Sequence, residues 1–207
     1  MLKVYTLSLC SYQTNCYIVR DACAKSCAVI DPGYSPEIIL QHLKKEGLSL
    51  DAVLLTHGHF DHVGAVEALV EATGCQLWMH EGDYSQFPNP SNAYFYPLAN
   101  SDFTEVQFCE DFEQITAGGL TFTVWSTPGH TWGSVCYLCE NVLFCGDTLF
   151  ADSCGRTDLP GGDLDAMKNS LQRLSAAPSN YRVCPGHGVV TTLGREQQYN
   201  PYMRGCL

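Results

Sequence analysis

Four side chains that can bind a metal ion occur within six consecutive positions of the sequence. They are His57, His59, Asp61 and His62, in the string AVLLTHGHFDHVGAV that spans residues 52–66. Neutral imidazoles and a carboxylate are the ligands that a borderline-soft divalent cation such as zinc prefers. A single loop histidine would more simply be a solvated residue. Three histidines and an aspartate at this spacing predict a metal site.

The residues around this cluster predict the elements that position it. Val53 to Leu55 is an uninterrupted apolar run, as in a buried strand, and apolar residues recur with helical spacing from Val63 to Thr73. The chemistry is therefore predicted in a loop between a rigid strand and a helix. Alternation along this loop points His57 and His59 the same way. The aspartate and the last histidine turn into the helix, toward a second position nearby.

The rest of the chain alternates β-prone segments with amphipathic helices, without an internal repeat or a linker. Strands are predicted at residues 4–9, 16–19, 27–30, 76–79, 120–125, 134–138, 142–145 and 182–184. A helix is predicted from an N-cap at Ser35 to Gly47, and another after an N-cap at Asp163. We expect a single α/β domain over residues 1–207, built on two sheets.

Three more candidate ligands each follow one of the predicted strands. His130 lies in TPGHT, Asp147 in CGDTLF and His187 in CPGHG. Each histidine alone is a weak signal, because a histidine beside a glycine in a turn is often simply exposed. Their regular position after strands is what a shared edge of the sheets would produce, so we expect all seven side chains to meet there.

Composition limits the class of protein and of partner. The 207 residues are 45% hydrophobic and 16% charged, which is typical of a globular chain, and no apolar run is long enough to span a bilayer. The net charge of −11 argues against a nucleic-acid partner, which would require a basic surface. The first residues, MLKVYTLSLCSYQTNC, are typical of a strand and not of a signal peptide, which predicts a cytoplasmic location.

Three further features have less specific interpretations. The sequence has twelve cysteines, and without an oxidising compartment we interpret most of them as small buried apolar residues. His42 and His80 lack any ligand context and are predicted to lie at or near the surface. The irregular stretch from Asp83 to Phe103 is rich in aromatic residues and prolines. It is predicted to form either a lid or partner surface, or a loop packed on its own domain.

The metal-binding strings together resemble a known family. THGHFDH, followed in order by TPGHT, CGDTLF and CPGHG, is similar to the motif set of the metallo-β-lactamase superfamily. The stretches TNCYIV, VIDPG, GRTDLPGGD and PGHGVVTTLGREQQYNPYM further resemble the small, single-domain type II glyoxalase II (hydroxyacylglutathione hydrolase-like) proteins. These matches touch nearly the whole chain, with the weakest coverage at residues 81–114. The resemblance implies an αββα four-layer sandwich.

The resemblance also implies two metal positions. Three residues would hold the first metal, three the second, and one would bridge both: His57, His59 and His130; Asp61, His62 and His187; and Asp147. Two divalent cations are therefore expected, zinc in the first place, with iron or manganese as alternatives. Asp31, in VIDPG, is expected to sit behind the metal loop and support it.

The reaction implied by the resemblance is hydrolysis of a small-molecule thioester such as S-lactoylglutathione. A hydroxide that bridges the two metals would attack the carbonyl carbon, and Asp61 would act catalytically in proton handling besides binding metal. Arg156 and Asp158, in CGRTDLPGG, are candidate substrate-binding residues. Arg156 would face a carboxylate of the thiol carrier, or the two would form a salt bridge that shapes the loop. The sequence ends soon after Tyr202, and larger relatives have a helical domain there that completes the glutathione site. We therefore expect either glutathione or another thiol carrier.

Two other functions remain as alternatives. GRTD also occurs in persulfide dioxygenases, which use one iron held by residues matching His57, His130 and Asp147. A metal-binding protein without catalysis is the third interpretation. The commonest β-lactamases do not match, because they carry a cysteine in place of Asp147. Flavodiiron proteins do not match either, because they carry an acid in place of His59.

Overall fold

Two six-stranded β-sheets pack between helices. The structure, a computed structural model, describes residues 1–9, 11–87, 93–95 and 106–205. The first sheet contains, in spatial order, β1 (Leu2–Leu9), β2 (Thr14–Asp21), β3 (Ser26–Ile30), β4 (Ser49–Leu54), β5 (Gln76–Met79) and β6 (Val106–Phe108). The second begins with β7 (Gln114–Ala117), β8 (Leu120–Ser126), β9 (Val135–Cys139) and β10 (Val142–Gly146). A ribbon of β11 (Leu149–Phe150) and β12 (Ser153–Cys154) intervenes before β13 (Arg182–Pro185) and β14 (Thr191–Thr192) complete this second sheet.

Within the described residues, six helices accompany the sheets. They are α1 (Pro36–Glu46), α2 (Phe60–Val63), α3 (Val66–Thr73), α4 (Glu81–Tyr84), α5 (Leu164–Ser175) and α6 (Leu193–Tyr199). Over the described ranges, no helix is both long and apolar enough to cross a membrane.

Three clusters of buried apolar residues correspond to the three interfaces of a four-layer sandwich. Alternation along β4 sends Val53 into the cluster with α1 and α3, and Leu54 into the cluster between the two sheets. On the other side, Leu143 of β10 packs with Leu171 and Leu174 of α5. The predicted αββα architecture is therefore confirmed, because the apolar clusters lie on both faces of the first sheet and on both faces of the second.

The helix predicted over residues 63–73 is divided in two. Its start and end lie in α2 and α3, which are separated at Gly64 and Ala65. A Cβ atom on Gly64 would overlap the carbonyl oxygen of Gly33, and the Ala65 amide donates to the Pro32 carbonyl at 2.9 Å. The loop that follows β3 thus packs on the helix backbone, where periodicity alone predicts a continuous helix.

Two of the predicted helix ends are correct, and a third is correct in position but wrong in mechanism. Asp163 accepts a hydrogen bond from the Ala166 amide at 2.9 Å, and Gly47 ends α1 with a left-handed φ of 64°. Ser35 precedes Pro36 as predicted, but its backbone is left-handed, with φ 55°, and its side chain makes no capping hydrogen bond. The helix therefore begins through the fixed φ of proline and not through a serine cap.

The cysteines are distributed as predicted. Of the ten in the described residues, eight are buried and none forms a disulfide. Burial raises the pKa of the Cys136 and Cys184 thiols to about 11, so these side chains are neutral. Cys10 and Cys206 lie outside the described residues.

Gly64→Ala tests whether loop packing outweighs helix propensity at the break between α2 and α3. Propensity alone favours alanine by roughly 1 kcal/mol, whereas forcing extra volume into a packed contact costs about 1–3 kcal/mol. We expect a lower free energy of unfolding in urea. Asn169→Ala, at an exposed position of α5, is the matched control and should be neutral or stabilising. A more stable Gly64→Ala protein would contradict the packing argument.

Candidate metal centre

The seven predicted ligands lie together at one edge of the sandwich. The first sheet and the helix after it contribute four, and the loops of the second sheet contribute three: His57, His59, Asp61 and His62; then His130, Asp147 and His187. Two backbone hydrogen bonds hold the contributing loops side by side. Val135 donates to the Thr56 carbonyl at 2.8 Å, and Gly186 donates to the Gly146 carbonyl at 2.8 Å.

The first triad is buried and presents nitrogen atoms only. The ligand atoms of His57, His59 and His130 all lie within 4.8 Å of one another. His130 Nε2 is 2.9 Å from His59 Nδ1, and His57 Nε2 is buried without a hydrogen-bond partner among the described residues. Three imidazole nitrogens directed at one point form a site for a single divalent cation.

The second triad adds a carboxylate and is more open. The ligand atoms of Asp61, His62 and His187 also lie within 4.8 Å of one another. His187 Nε2 is 3.2 Å from Asp61 Oδ2 and 3.3 Å from His62 Nε2. Although burial opposes it, the hydrogen bond from His187 and the charge of His62 lower the pKa of Asp61, so this carboxyl group is an anion. The His187 side chain is 28% exposed, so this side of the cluster faces solvent.

Asp147 stands between the two triads. Its Oδ1 atom is 3.5 Å from His62 Nε2, and its Oδ2 atom is 3.5 Å from His130 Nε2. Oδ1 is buried and has no hydrogen-bond partner in the part of the chain that the structure describes. A Cβ atom on Gly186 would overlap this oxygen, so the glycine leaves room for the carboxylate. One carboxylate therefore faces both positions.

Groups behind the cluster fix which ring nitrogen of three histidines faces inward. His130 Nδ1 donates to the Arg156 carbonyl at 2.8 Å, and His187 Nδ1 donates to the Tyr12 carbonyl at 3.1 Å. His62 Nδ1 lies 3.0 Å from a carboxylate oxygen of Asp31. Because carbonyls and carboxylates accept, Nδ1 of these three rings holds a proton, and Nε2 is the atom that faces the cluster. The supporting role predicted for Asp31 agrees with this contact.

The electrostatics of the two triads differ. Burial, together with the neighbouring imidazoles, lowers the pKa of His57 far below its usual range and that of His59 to about 3. Burial also disfavours the charged form of His62, but the carboxylates of Asp147 and Asp31 outweigh it and raise its pKa to about 9. His57 and His59 are thus neutral ligands, and His62 lies in a negative field that stabilises a cation.

The side chains fit two divalent metal ions. His57 Nε2, His59 Nε2 and Asp147 Oδ1 are buried without a hydrogen-bond partner among the described residues, so these lone pairs are free to bind a cation. The mixture of imidazole nitrogens and carboxylate oxygens suits zinc, iron or manganese.

Arg156 and Asp158 lie beside the cluster and not in it. The Arg156 guanidinium donates to both oxygens of Asp158 at 2.7 Å, and both side chains are more than half exposed. The salt bridge that sequence analysis offered as one interpretation is therefore present. Because the Arg156 carbonyl also accepts from His130, this loop is coupled to the first triad.

Sequence analysis missed the role of Asp83. The residue is fully buried, and its carboxylate accepts hydrogen bonds from the Gly58 amide, the Thr131 hydroxyl and the Gly133 amide at 2.7–2.8 Å. Burial raises the pKa of Asp83 against the effect of these hydrogen bonds. A single acid at the start of an irregular stretch has no periodicity that would identify its role. The only sequence signal of this contact was the glycine beside each histidine motif, which leaves room for close packing.

The remaining aromatic residues and histidines have mixed outcomes. Phe87 and Phe95 are buried in the core, as expected of a loop packed on its own domain, whereas Tyr94 is 40% exposed and its ring lies 6.2 Å from that of His59. The rest of the stretch, residues 88–92 and 96–103, lies outside the described residues. His42 is partly buried and stacks on Tyr5, and His80 accepts from the Gly82 amide, so both lie near the surface as predicted.

Comparison with known proteins gives three close similarities and one family match. The model of the metallo-beta-lactamase superfamily matches residues 11–187. The hydroxyacylglutathione hydrolase GloC of Haemophilus influenzae is 33% identical over 209 residues, which cover 98% of each chain. The crystal structure of the BLEG-1 B3 metallo-beta-lactamase matches with a TM-score of 0.86 at 34% identity, covering 99% of this chain and 100% of that one. TTHA1623, solved in a di-iron-bound form, matches with a TM-score of 0.84 at 38% identity, covering 96% and 100%.

Asp147→Ala tests whether one carboxylate serves both positions. We expect the purified variant to lose both metal ions by elemental analysis, whereas His187→Ala, the control, should lose mainly one. The far-UV circular dichroism of both variants should match the wild type, because the three cores lie away from this edge. Unchanged metal content in Asp147→Ala would contradict the bridging position.

Proposed function

The chain belongs to the metallo-β-lactamase superfamily, and from this premise we propose that it is a dinuclear metal-dependent hydrolase of small-molecule thioesters. The observation that carries the proposal is the Asp147 carboxylate, whose two oxygens each lie 3.5 Å from a histidine of a different triad. A carboxylate in this position can serve two cations at once. The similarity to GloC over 98% of both chains supports a thioester as the substrate class.

The chemistry requires an activated water molecule and an oxyanion site. Two divalent cations held by these residues would lower the pKa of a water molecule and polarise the thioester carbonyl. Water adds to the carbonyl carbon, the C–S bond breaks, and the products are a carboxylic acid and a thiol. The reaction consumes no other reagent and needs no serine or cysteine nucleophile.

Asp61 is the residue that we propose to handle the proton. Its Oδ2 atom accepts from the Thr14 hydroxyl at 3.2 Å and lies 3.2 Å from His187 Nε2, on the more open side of the cluster. Asp61 is an anion there, so it can accept a proton from the attacking water and return it to the leaving thiolate. The buried histidines of the first triad keep bulk water from the opposite side.

We propose zinc as the resident metal, with iron or manganese as alternatives. The ligand set of nitrogen and oxygen atoms is compatible with all three ions. The similarity to TTHA1623 in its di-iron-bound form supports iron as the first alternative.

A second candidate activity is β-lactam hydrolysis. It is supported by the similarity to BLEG-1, which spans 99% of this chain at 34% identity. The same two triads would serve, because a β-lactam amide and a thioester are both attacked at a carbonyl carbon. GloC matches equally well along the whole chain. Thioester hydrolysis is preferred because the stretches GRTDLPGGD and PGHGVVTTLGREQQYNPYM also resemble glyoxalase II-like proteins.

Metal analysis combined with substrate assays tests the proposed function. After metal removal and reconstitution, we expect about two ions per chain and metal-dependent hydrolysis of S-lactoylglutathione or an uncharged thioester. The metal-free protein is the control and should be inactive. Hydrolysis of nitrocefin without thioester hydrolysis would favour the β-lactamase, and one iron per chain with oxygen uptake on a persulfide would favour a dioxygenase.

Arg156→Lys and Asp158→Asn test whether the arginine binds the carrier. In one of the two interpretations, the guanidinium faces a carboxylate of the thiol carrier, because its planar donors suit a carboxylate. In that case Arg156→Lys should raise KM more than it lowers kcat, since the contact is remote from the reacting carbonyl. The loss should shrink for a thioester without a carboxylate.

The salt bridge of Arg156 with Asp158 gives the competing expectation. If the pair only shapes the loop, both variants should be equally damaging and should act alike on all thioesters. Steady-state kinetics of the two variants on a carboxylated and an uncarboxylated thioester separate the outcomes. Equal losses on both substrates would refute carrier binding.

A further inference from the structure

A buried carboxylate that is not among the seven candidate ligands lies behind the first triad. Asp83, in the short helix α4, has no exposed surface. One of its oxygens accepts from the Gly58 amide at 2.8 Å and from the Thr131 hydroxyl at 2.8 Å. The other accepts from the Gly133 amide at 2.7 Å. All three donors lie in the loops that carry the first-triad histidines.

These hydrogen bonds join two loops that belong to different sheets. Gly58 separates His57 from His59 after β4 of the first sheet, and Thr131 directly follows His130 in the loop between β8 and β9 of the second. A direct backbone hydrogen bond links the same loops at their base, from Val135 to the Thr56 carbonyl. At the level of the histidines, the Asp83 carboxylate spans the two loops, so its position sets the separation of the three rings.

Two glycines in these loops leave room for Asp83. A Cβ atom on Gly133 would lie 2.8 Å from Asp83 Cγ, and one on Gly58 would lie 3.2 Å from Asp83 Cβ and 2.9 Å from a ring carbon of Phe95. Both positions therefore lack a side chain where α4 approaches. The close packing leaves the carboxylate no second arrangement, which is what a rigid support for a metal site requires.

Asp83 and Asp31 act on the ligand cluster in different ways. Asp31 accepts from the Thr56 amide and hydroxyl and contacts the His62 ring directly, on the side of the second triad. Asp83 contacts backbone amides and a hydroxyl, so it acts on the first triad through the loops. Asp31 also reaches the first triad, because the Thr56 hydroxyl that it accepts from lies 3.0 Å from His57 Nδ1, whereas all three hydrogen bonds of Asp83 go to first-triad loops.

We propose that Asp83 is a positioning residue for the first metal position, and that it sets the affinity of His57, His59 and His130 for the metal without affecting the second position. The inference rests on the proposed two-metal function. Groups behind metal ligands typically change metal affinity by about 10–100-fold when they are removed. The loss should be confined to one position, which a general structural defect would not produce.

Asp83→Asn, introduced into two backgrounds, tests the proposal. His187→Ala weakens the second position and leaves the first to be measured, and His59→Ala does the reverse. Zinc affinity is measured on metal-free protein by competition with a chromophoric chelator. In the His187→Ala background, Asp83→Asn should weaken zinc binding by about 10–100-fold. In the His59→Ala background, it should leave zinc binding unchanged.

Glu196→Gln is the matched control for the loss of a buried carboxylate. Glu196, in α6, is also fully buried, and it accepts hydrogen bonds from the Asp152 amide and the Thr191 hydroxyl. This variant should lower the melting temperature but leave both zinc affinities unchanged. If Asp83→Asn fails to fold, Thr131→Val removes one of the three hydrogen bonds and should give a smaller loss with the same selectivity.

The outcomes separate this inference from the proposed function. Equal weakening at both positions, or no weakening at either, would overturn the role of Asp83 and leave the hydrolase proposal intact. A wild-type protein that binds no metal would overturn the proposed function, and this inference with it.

Discussion

The structure depends on holding five imidazoles and two carboxylates close together at one edge of the sandwich. Lone pairs that converge within about 3 Å repel one another, and burial removes the water that would otherwise solvate them. Three of the rings are fixed from behind. Backbone carbonyls of Tyr12 and Arg156 orient two of the rings, and the buried carboxylate of Asp31 orients a third. These supports keep the ligand atoms directed inward in the face of their mutual repulsion.

Both sheets contribute loops that carry these groups. The first sheet supplies one loop with four candidate ligands, and the second supplies three loops with one each. Because the loops belong to different sheets, close backbone approach is needed where they meet. Glycines supply it: a Cβ atom on Gly146 would overlap the Thr56 hydroxyl, and one on Gly186 would lie 2.7 Å from a ring carbon of His62. The left-handed φ of 45° at Gly146 adds a conformational reason for glycine there.

The exposure of the second triad indicates the side from which a substrate would approach. His187, Asp61 and Asp147 are the partly exposed members of the cluster, whereas the first triad is buried. A substrate would approach from that side, with the loop of Arg156 and Asp158 next to it through the contact with His130. In the proposed function, recognition of the thiol carrier requires Arg156 to leave its salt bridge with Asp158. The identity of the carrier is therefore set at this exposed loop and not by the metal ligands.

The sequence by itself determined the candidate ligands, their grouping and most of the elements that carry them. His57 to His62 follow an apolar run, and strand and helix periods of 2 and 3.6 residues are local properties that can be read without the fold. The family resemblance assigned the four layers, and the packed cores agree with it.

Only the tertiary structure decided the break at Gly64, the pairing of Arg156 with Asp158 and the place of Asp83. The break follows from a contact with Gly33, which is remote in sequence and leaves no trace in helical periodicity. The hydrogen bonds of Asp83 reach 25 residues back to Gly58 and 50 residues forward to Gly133. Such long-range contacts depend on how the sheets pack, so residue type and local spacing could not reveal them.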